Sequence, residues 1–254
     1  MNTSPAVLVD VDGAVATIKM NVADRRNVLN PVLRQGLSDA FDAALTNDSV
    51  RCVVLAANGT VFGAGQDFAA VEDFNILAAD LINVHYKPLL LKIHNSPKPV
   101  IAAVNGLCVG MSASLALACD LLIMDENAEL SFSFSKFGLA PDGGASWHLV
   151  NLLGAKRAFQ ILAESKAISA QQALQLGIAN KVYQGESLLV AACEWAEQIA
   201  TVAPLSLRFA KAAVRKATDL DLADAISMEA ELQQICSESS ETKAAMAAFL
   251  TRKK

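Results

Sequence analysis

An α/β fold with parallel strand pairing follows from three observations on this chain of 254 residues. Short uninterrupted apolar runs recur, Arg51–Ala56 and Val100–Val104 among them, as expected for strands buried on both faces. Each run leads through a small-residue turn into a helical pattern, the rhythm of crossover connections. Apolar residues make up 53% of the chain and charged residues 19%, enough for a large core, and the aromatic share of 6% leaves Ala, Leu and Val to build it.

Val7–Val11 and Val15–Met20 flank Asp12-Gly13, a two-residue hairpin signal. Asn30-Pro31 opens a helix through Leu33, Leu37, Phe41 and Leu45, with Asn as cap and Pro at the first position. Arg51–Ala56 is a buried strand, followed by a loop from Asn58 to Asp67. A helix covers Ile76–Ile93 and stops before Pro97 and Pro99. Val100–Val104 is the next strand, Asn105–Gly110 a turn and Met111–Ala118 a short helix. Leu121–Met124 and Leu130–Phe132 are further strands. From Ala145 the pattern is mostly helical, with a capping box at Ser169-Ala-Gln-Gln172 and one late strand within Ile178–Tyr183. After Pro204 come two or three amphipathic helices, a tail of the kind that packs against a neighbouring subunit.

Composition narrows the function classes. The net charge of -5 argues against a duplex nucleic-acid partner. No run reaches the ~18 uninterrupted apolar residues of a membrane helix, and residues 1–20 lack the basic start and apolar run of a signal peptide. The five cysteines show no CxxC spacing, and four lie among Ala, Val and Leu, so they read as buried free thiols in a reducing cytoplasm.

The segment Phe137-Gly-Leu-Ala-Pro-Asp-Gly-Gly-Ala-Ser146 carries a single carboxylate, Asp142. By itself Pro141-Asp142-Gly143 is an ordinary turn. Two further small-residue segments, Phe62-Gly-Ala-Gly-Gln-Asp67 and Asn105-Gly-Leu-Cys-Val-Gly-Met-Ser112, are suited to presenting backbone N–H groups. One acid beside two such donors can move a proton on a substrate held as an enolate.

Arg25-Arg-Asn-Val-Leu-Asn30, Phe62–Asp67, Asn105–Asp120, Gly138–Gly144 and Ala173–Val182 resemble, in order and spacing over nearly the whole chain, the enoyl-CoA hydratase/isomerase (crotonase) superfamily. The resemblance implies a spiral of ββα repeats over residues 1–200 and a C-terminal helical oligomerisation region over 201–254. It also implies an acyl-CoA substrate, no metal or redox cofactor, and a homotrimer or a hexamer formed as a dimer of trimers. It assigns the oxyanion hole to the N–H groups of Ala64 and Met111, with Met111 standing where hydratases usually carry glycine. CoA contacts fall to Asp24–Val28 and Ala64–Phe68, including Gly65, Gln66 and Asp67, with Gly110 and Phe134 lining the substrate site. Arg25 and Arg26 either meet the CoA phosphates or form a solvated pair, and Asp67 either touches ligand or caps a helix over Val71–Asn75.

At the two positions where similar hydratases carry catalytic glutamates the chain has Ser114 and Phe134. Asp142 follows Pro141, where the Δ3-Δ2-enoyl-CoA isomerases carry their single acid, usually a glutamate. The resemblance therefore implies a double-bond isomerase with Asp142 as proton shuttle. Alternatives are hydration, dienoyl or cyclic enoyl-CoA isomerisation, hydrolysis, or a non-catalytic acyl-CoA-binding protein. His85 and His94 read as surface or cap residues, and His148 as a packed histidine or part of an acyl tunnel. Glu72 and Asp73 read as solvated, and no GxSxG elbow supports Ser112 or Ser114 as a nucleophile.

Overall fold

The computed structural model describes residues 4–68 and 78–251. β1 (Val7–Asp12) and β2 (Val15–Met20) form an antiparallel hairpin with Asp12 opposite Val15. The turn is therefore Gly13-Ala14, one residue beyond the expected Asp12-Gly13, and Gly13 supplies a φ of +53°. α1 (Pro31–Thr46) starts as its sequence dictates: the Asn30 side chain accepts from the Leu33 N–H at 2.8 Å.

β3 (Cys52–Ala57), β5 (Val100–Val104), β7 (Leu121–Asp125) and β10 (Lys181–Tyr183) continue from β2 as parallel neighbours. The resulting six-stranded sheet has the order β1-β2-β3-β5-β7-β10. One face meets α1 through Leu33, Leu37 and Phe41. The other meets Leu188, Ala192 and Ala196 of α7 (Ser187–Ala200). Helices on both faces explain why these strands are continuous apolar runs.

A second sheet, order β4-β6-β8-β9, contains β4 (Val61–Gly63), β6 (Leu107–Val109), β8 (Glu129–Ser131) and β9 (Ile168–Ser169). β4 and β6 lie inside segments read from sequence as loop and turn; at three residues they are too short for periodicity to register. Each step from a long strand of the first sheet to a short strand of the second repeats: β3 to β4, β5 to β6, β7 to β8. This is the ββ half of the spiral repeat, and it delivers each connection to the same side of the molecule.

The helix expected over Ile76–Ile93 is described from residue 78 and is not uniform. α2 (Ala78–Asp80) passes into a π-helical turn, Leu81–Tyr86, and then α3 (Lys87–His94). Pro88 has no N–H to donate back, so the chain widens one turn before it. α4 (Met111–Leu117) is fully buried. α5 (Ala145–Glu164) is interrupted at Gly154, whose φ is +75°. α6 (Ala170–Gln175) carries the expected capping box between Ser169 and Gln172.

The tail forms α8 (Pro204–Ala217), α9 (Leu222–Glu238) and α10 (Ser240–Thr251), none with a buried residue. α8 is tied to the core through Asp120, whose carboxylate meets Lys211 at 2.6 Å and Arg215 at 2.7 Å and accepts from the Val100 N–H. All five cysteines are free; Cys52 and Cys108 are buried, and Cys119, Cys193 and Cys236 are only partly so. Among the described residues no single helix is long and apolar enough to cross a membrane.

Candidate active site

Three segments meet at α4. The first is the turn after β4. A Cβ on Gly65 would lie 3.0 Å from the Val109 carbonyl oxygen and 3.7 Å from the Met111 nitrogen, and Gly65 has a φ of +87°. Only glycine lets the Ala64-Gly65 backbone sit this close to residues 109–111. The second is the β6–α4 connection, where Gly110 adopts a φ of +53° and donates to the Ser131 carbonyl at 2.8 Å. Met111 opens α4, so its N–H has no acceptor within that helix.

The third segment carries Asp142. A Cβ on Gly143 would lie 2.7 Å from Met111 Sδ and 2.8 Å from Ser114 Cβ. The Asp142 loop therefore packs directly on the first turn of α4. The Asp142 carboxyl is half-buried, and its Oδ1 has no hydrogen-bond partner among the described residues. Burial pushes its pKa up to about 6. A carboxylate that is desolvated and unsaturated by donors is a stronger base than one in water.

Ala64, Met111 and Asp142 are thus brought together, with one departure. The Ala64 N–H donates to the Arg26 carbonyl at 3.0 Å, so it is engaged within the chain. The Gly65 N–H is engaged too, donating to Ser112 Oγ at 3.1 Å.

Of the residues expected to contact CoA, Arg25 pairs with Asp67 at 2.8 Å and stays about half exposed. Arg26 is exposed in the left-handed conformation. Asn27, next in the chain, is fully buried, donates to the Asn58 and Val61 carbonyls, and accepts from the Val22 N–H. It is a clamp joining two loops, a role its neighbours in sequence gave no sign of. Gln66 hydrogen-bonds through its side chain to the Tyr86 hydroxyl. Tyr86 also donates to the Leu29 carbonyl at 3.0 Å and stacks under the Arg34 guanidinium at 4.7 Å. Burial drives the Tyr86 pKa up, the Asp142 and Asp67 charges add to this, and Arg34 opposes it. The helix expected over Val71–Asn75, with Glu72 and Asp73, lies outside the described residues.

Ser114 and Phe134 are the two residues expected, from the resemblance, where similar hydratases carry glutamates. Phe134 is buried, with its ring 3.8 Å from where a Gly110 Cβ would stand. The Ser114 hydroxyl donates to the Asp142 carbonyl oxygen at 3.0 Å.

Beyond Asp142, between α3 and α5, lies a cavity of about 380 Å³ lined by Ile82, Leu90, Gly143, Gly144, Trp147 and His148. His148 and His94 sit ring to ring at 5.7 Å, both edge-on to Trp147. Burial, reinforced by Arg215, lowers each histidine to about 4, so both are neutral at neutral pH. His94 is therefore packed against α5, and the surface or cap role expected of it is replaced by this contact. Among the described residues no group of His, Cys, Asp and Glu side chains is arranged to hold a metal ion.

Comparison with known proteins agrees with this architecture. The family model for enoyl-CoA hydratase/isomerase matches residues 10–254. A 1,2-epoxyphenylacetyl-CoA isomerase from Escherichia coli is 32% identical, covering 97% of this chain and 96% of the relative. A short-chain-enoyl-CoA hydratase from Clostridium acetobutylicum is 29% identical, covering 98% and 95%. The crystal structure of an enoyl-CoA hydratase from Polaromonas superposes with a TM-score of 0.90 at 31% identity, covering 97% of each chain. With the family model spanning all but the first nine residues, the chain belongs to the enoyl-CoA hydratase/isomerase (crotonase) family.

Proposed function

We propose that this protein moves the double bond of a 3-enoyl-CoA thioester into conjugation, with Asp142 as its only proton carrier. The observation that carries the reading is the Asp142 carboxyl: half-buried, raised to about 6, unpartnered at Oδ1, and beside α4 where Ser114 and Phe134 replace two glutamates. Ionised Asp142 removes a proton from C2; the electron pair of that C–H bond forms a C1–C2 double bond as the carbonyl π pair moves onto the thioester oxygen, conjugated with the intact C3–C4 double bond. The resulting dienolate takes the same proton back at C4, leaving the double bond between C2 and C3. Hydration would need an activated water, and the two positions that resemble its carboxylate sites hold a hydroxyl already turned to the Asp142 carbonyl and a buried phenyl ring.

The thioester oxygen is held by the N–H groups of Met111 and Ala64. Substrate then competes with the Arg26 carbonyl for the Ala64 N–H. Losing one such donor costs on the order of 3 kcal/mol of transition-state stabilisation. Arg25, Arg26 and the Gly65–Asp67 backbone line the route to CoA, and Phe134 and Gly110 close the reacting end. No redox cofactor or metal enters any of these steps. The exposed apolar side chains of the tail, Val214, Leu222 and Ile226 among them, support a self-association surface, as in a trimer or a dimer of trimers.

A second reading, isomerisation of a cyclic or ring-bearing acyl group, is favoured by the similarity to a 1,2-epoxyphenylacetyl-CoA isomerase. The test is to supply 3-enoyl-CoA and 2-enoyl-CoA separately. Rising absorbance of the conjugated thioester from the first, absent in Asp142→Asn, supports the proposal. Hydration of the second at a comparable rate contradicts it.

A further inference from the structure

Two serines on α4 stand in matching relation to the two catalytic loops. Both are wholly buried. Ser112 Oγ accepts from the Gly65 N–H at 3.1 Å, and its Cβ would lie 2.7 Å from a Cβ on Gly63. Its hydroxymethyl group therefore touches both glycines that flank Ala64. Ser114 Oγ donates to the Asp142 carbonyl at 3.0 Å, and its Cβ fills the space a Gly143 Cβ would need. A weaker contact from Ser114 to the Gly110 carbonyl, 3.4 Å, runs back along its own helix.

We propose that Ser112 and Ser114 are positioning residues that lock the Ala64 turn and the Asp142 loop to α4, and so set the distance between the thioester oxygen site and the proton-carrying carboxylate. This rests on the catalytic reading above. Three separate segments must hold their groups within a fraction of an ångström of the reacting atoms, and a displacement of about 1 Å costs roughly a hundredfold in rate. Loops fastened by one hydrogen bond each, to one rigid seven-residue helix, move together or not at all. Neither hydroxyl touches the carboxyl of Asp142 or the Ala64 N–H, so each acts through the backbone it holds. At position 114 this also gives the serine a role of its own. A hydroxyl bonded to the Asp142 carbonyl fixes the base that a hydratase-like carboxylate at this site would compete with.

The test reads proton removal directly. C2 hydrogen exchange of butyryl-CoA in deuterated water is followed by NMR, with butyryl-CoA affinity and the pH dependence of exchange measured in parallel. The proteins are the wild type, Asp142→Asn, Ser112→Ala, Ser114→Ala and Ser114→Cys. The expected result is exchange by the wild type and none by Asp142→Asn. Both alanine variants fall roughly ten- to a hundredfold in exchange rate, with affinity changed by less than about threefold. Ser114→Ala also shifts the pH at which exchange is half-maximal, because its loop no longer holds the carboxyl at one depth. Ser114→Cys, which keeps the volume but donates weakly, stays well below serine. Three results overturn the proposal. If the alanine variants exchange at the wild-type rate with an unmoved pH profile, the serines position nothing, while the catalytic reading stands. If Ser114→Cys equals serine, packing alone holds the loop. If the wild type fails to exchange, or Asp142→Asn exchanges normally, the catalytic reading falls and takes this one with it.

Discussion

The Ser114 hydroxyl donates to the carbonyl oxygen of Asp142 at 3.0 Å, across 28 residues of sequence. A buried side chain of α4 thus holds the backbone of Asp142. The Asp142 carboxyl itself keeps a buried Oδ1 with no hydrogen-bond partner among the described residues. Burial raises its pKa.

That raised pKa makes Asp142 costly to the fold. An acid whose folded pKa is raised contributes fully below its unfolded value, near 3.8, and loses that contribution as pH climbs through about 6. Asp142→Asn should therefore be more stable than wild type at pH 7.5, by about 1–2 kcal/mol once partial exposure is discounted, and indistinguishable from it at pH 4. Urea unfolding at both pH values checks this, and activity of the wild type should rise through about pH 6 as the base ionises.

Gly143 tolerates no side chain. Its φ of +58° strains any L-residue, and a Cβ would enter Met111 Sδ and Ser114 Cβ. Gly143→Ala should lower stability by about 1–3 kcal/mol and cut turnover more than substrate affinity, by shifting the Asp142 loop off α4. Thermal melts together with kcat and KM separate the two effects.

His94 and His148 set an acid limit. Their folded pKa values lie near 4, below the ordinary 6.5, so the stability they confer is whole above 6.5 and drains away as pH falls toward 4. His148→Phe should flatten this loss, leaving the variant closer to its own neutral-pH stability at pH 5 than the wild type is to its own. Denaturant midpoints at pH 7 and pH 5 report it.

Much of this architecture was legible in the sequence, for reasons that can be named. β3, β5 and β7 are continuous apolar runs because helices cover both faces of their sheet, and the α1 and α6 boundaries followed from Asn30-Pro31 and Ser169-Gln172. β4 and β6 were not legible, since three residues carry no period. The π-helical turn had a signal, Pro88 inside an otherwise helical stretch, but a proline does not say whether the helix stops or widens. At the site, the glycines flanking Ala64 marked tight backbone approach. The partners that demanded the approach, Ser112 and Ser114, are close to Met111 in sequence but reach loops 47 and 28 residues away. Such contacts leave no trace in a local pattern. The Ala64 N–H bond to Arg26 was equally invisible, because it joins two irregular segments.

Asp120 joins the tail to the core. Asp120→Ala would leave Lys211 and Arg215 without their carboxylate and the Val100 N–H without its acceptor. A loss of about 2–4 kcal/mol is expected, breaking a largely buried ion cluster from one side. Lys211→Met with Arg215→Met should cost more than either alone but leave Val100 paired. Chemical denaturation measures these losses, and sedimentation shows whether detaching α8 alters self-association.

In the proposed reaction, one carboxylate carries one proton across the allylic system. A 3-enoyl-CoA deuterated at C2 tests it most directly, with the product examined by NMR before solvent exchange is complete. A single-base shuttle predicts 2-enoyl-CoA with part of the deuterium at C4, and no such product from Asp142→Asn. Product with solvent hydrogen alone at C4 at the earliest times, or 3-hydroxyacyl-CoA as the main product, would contradict the account.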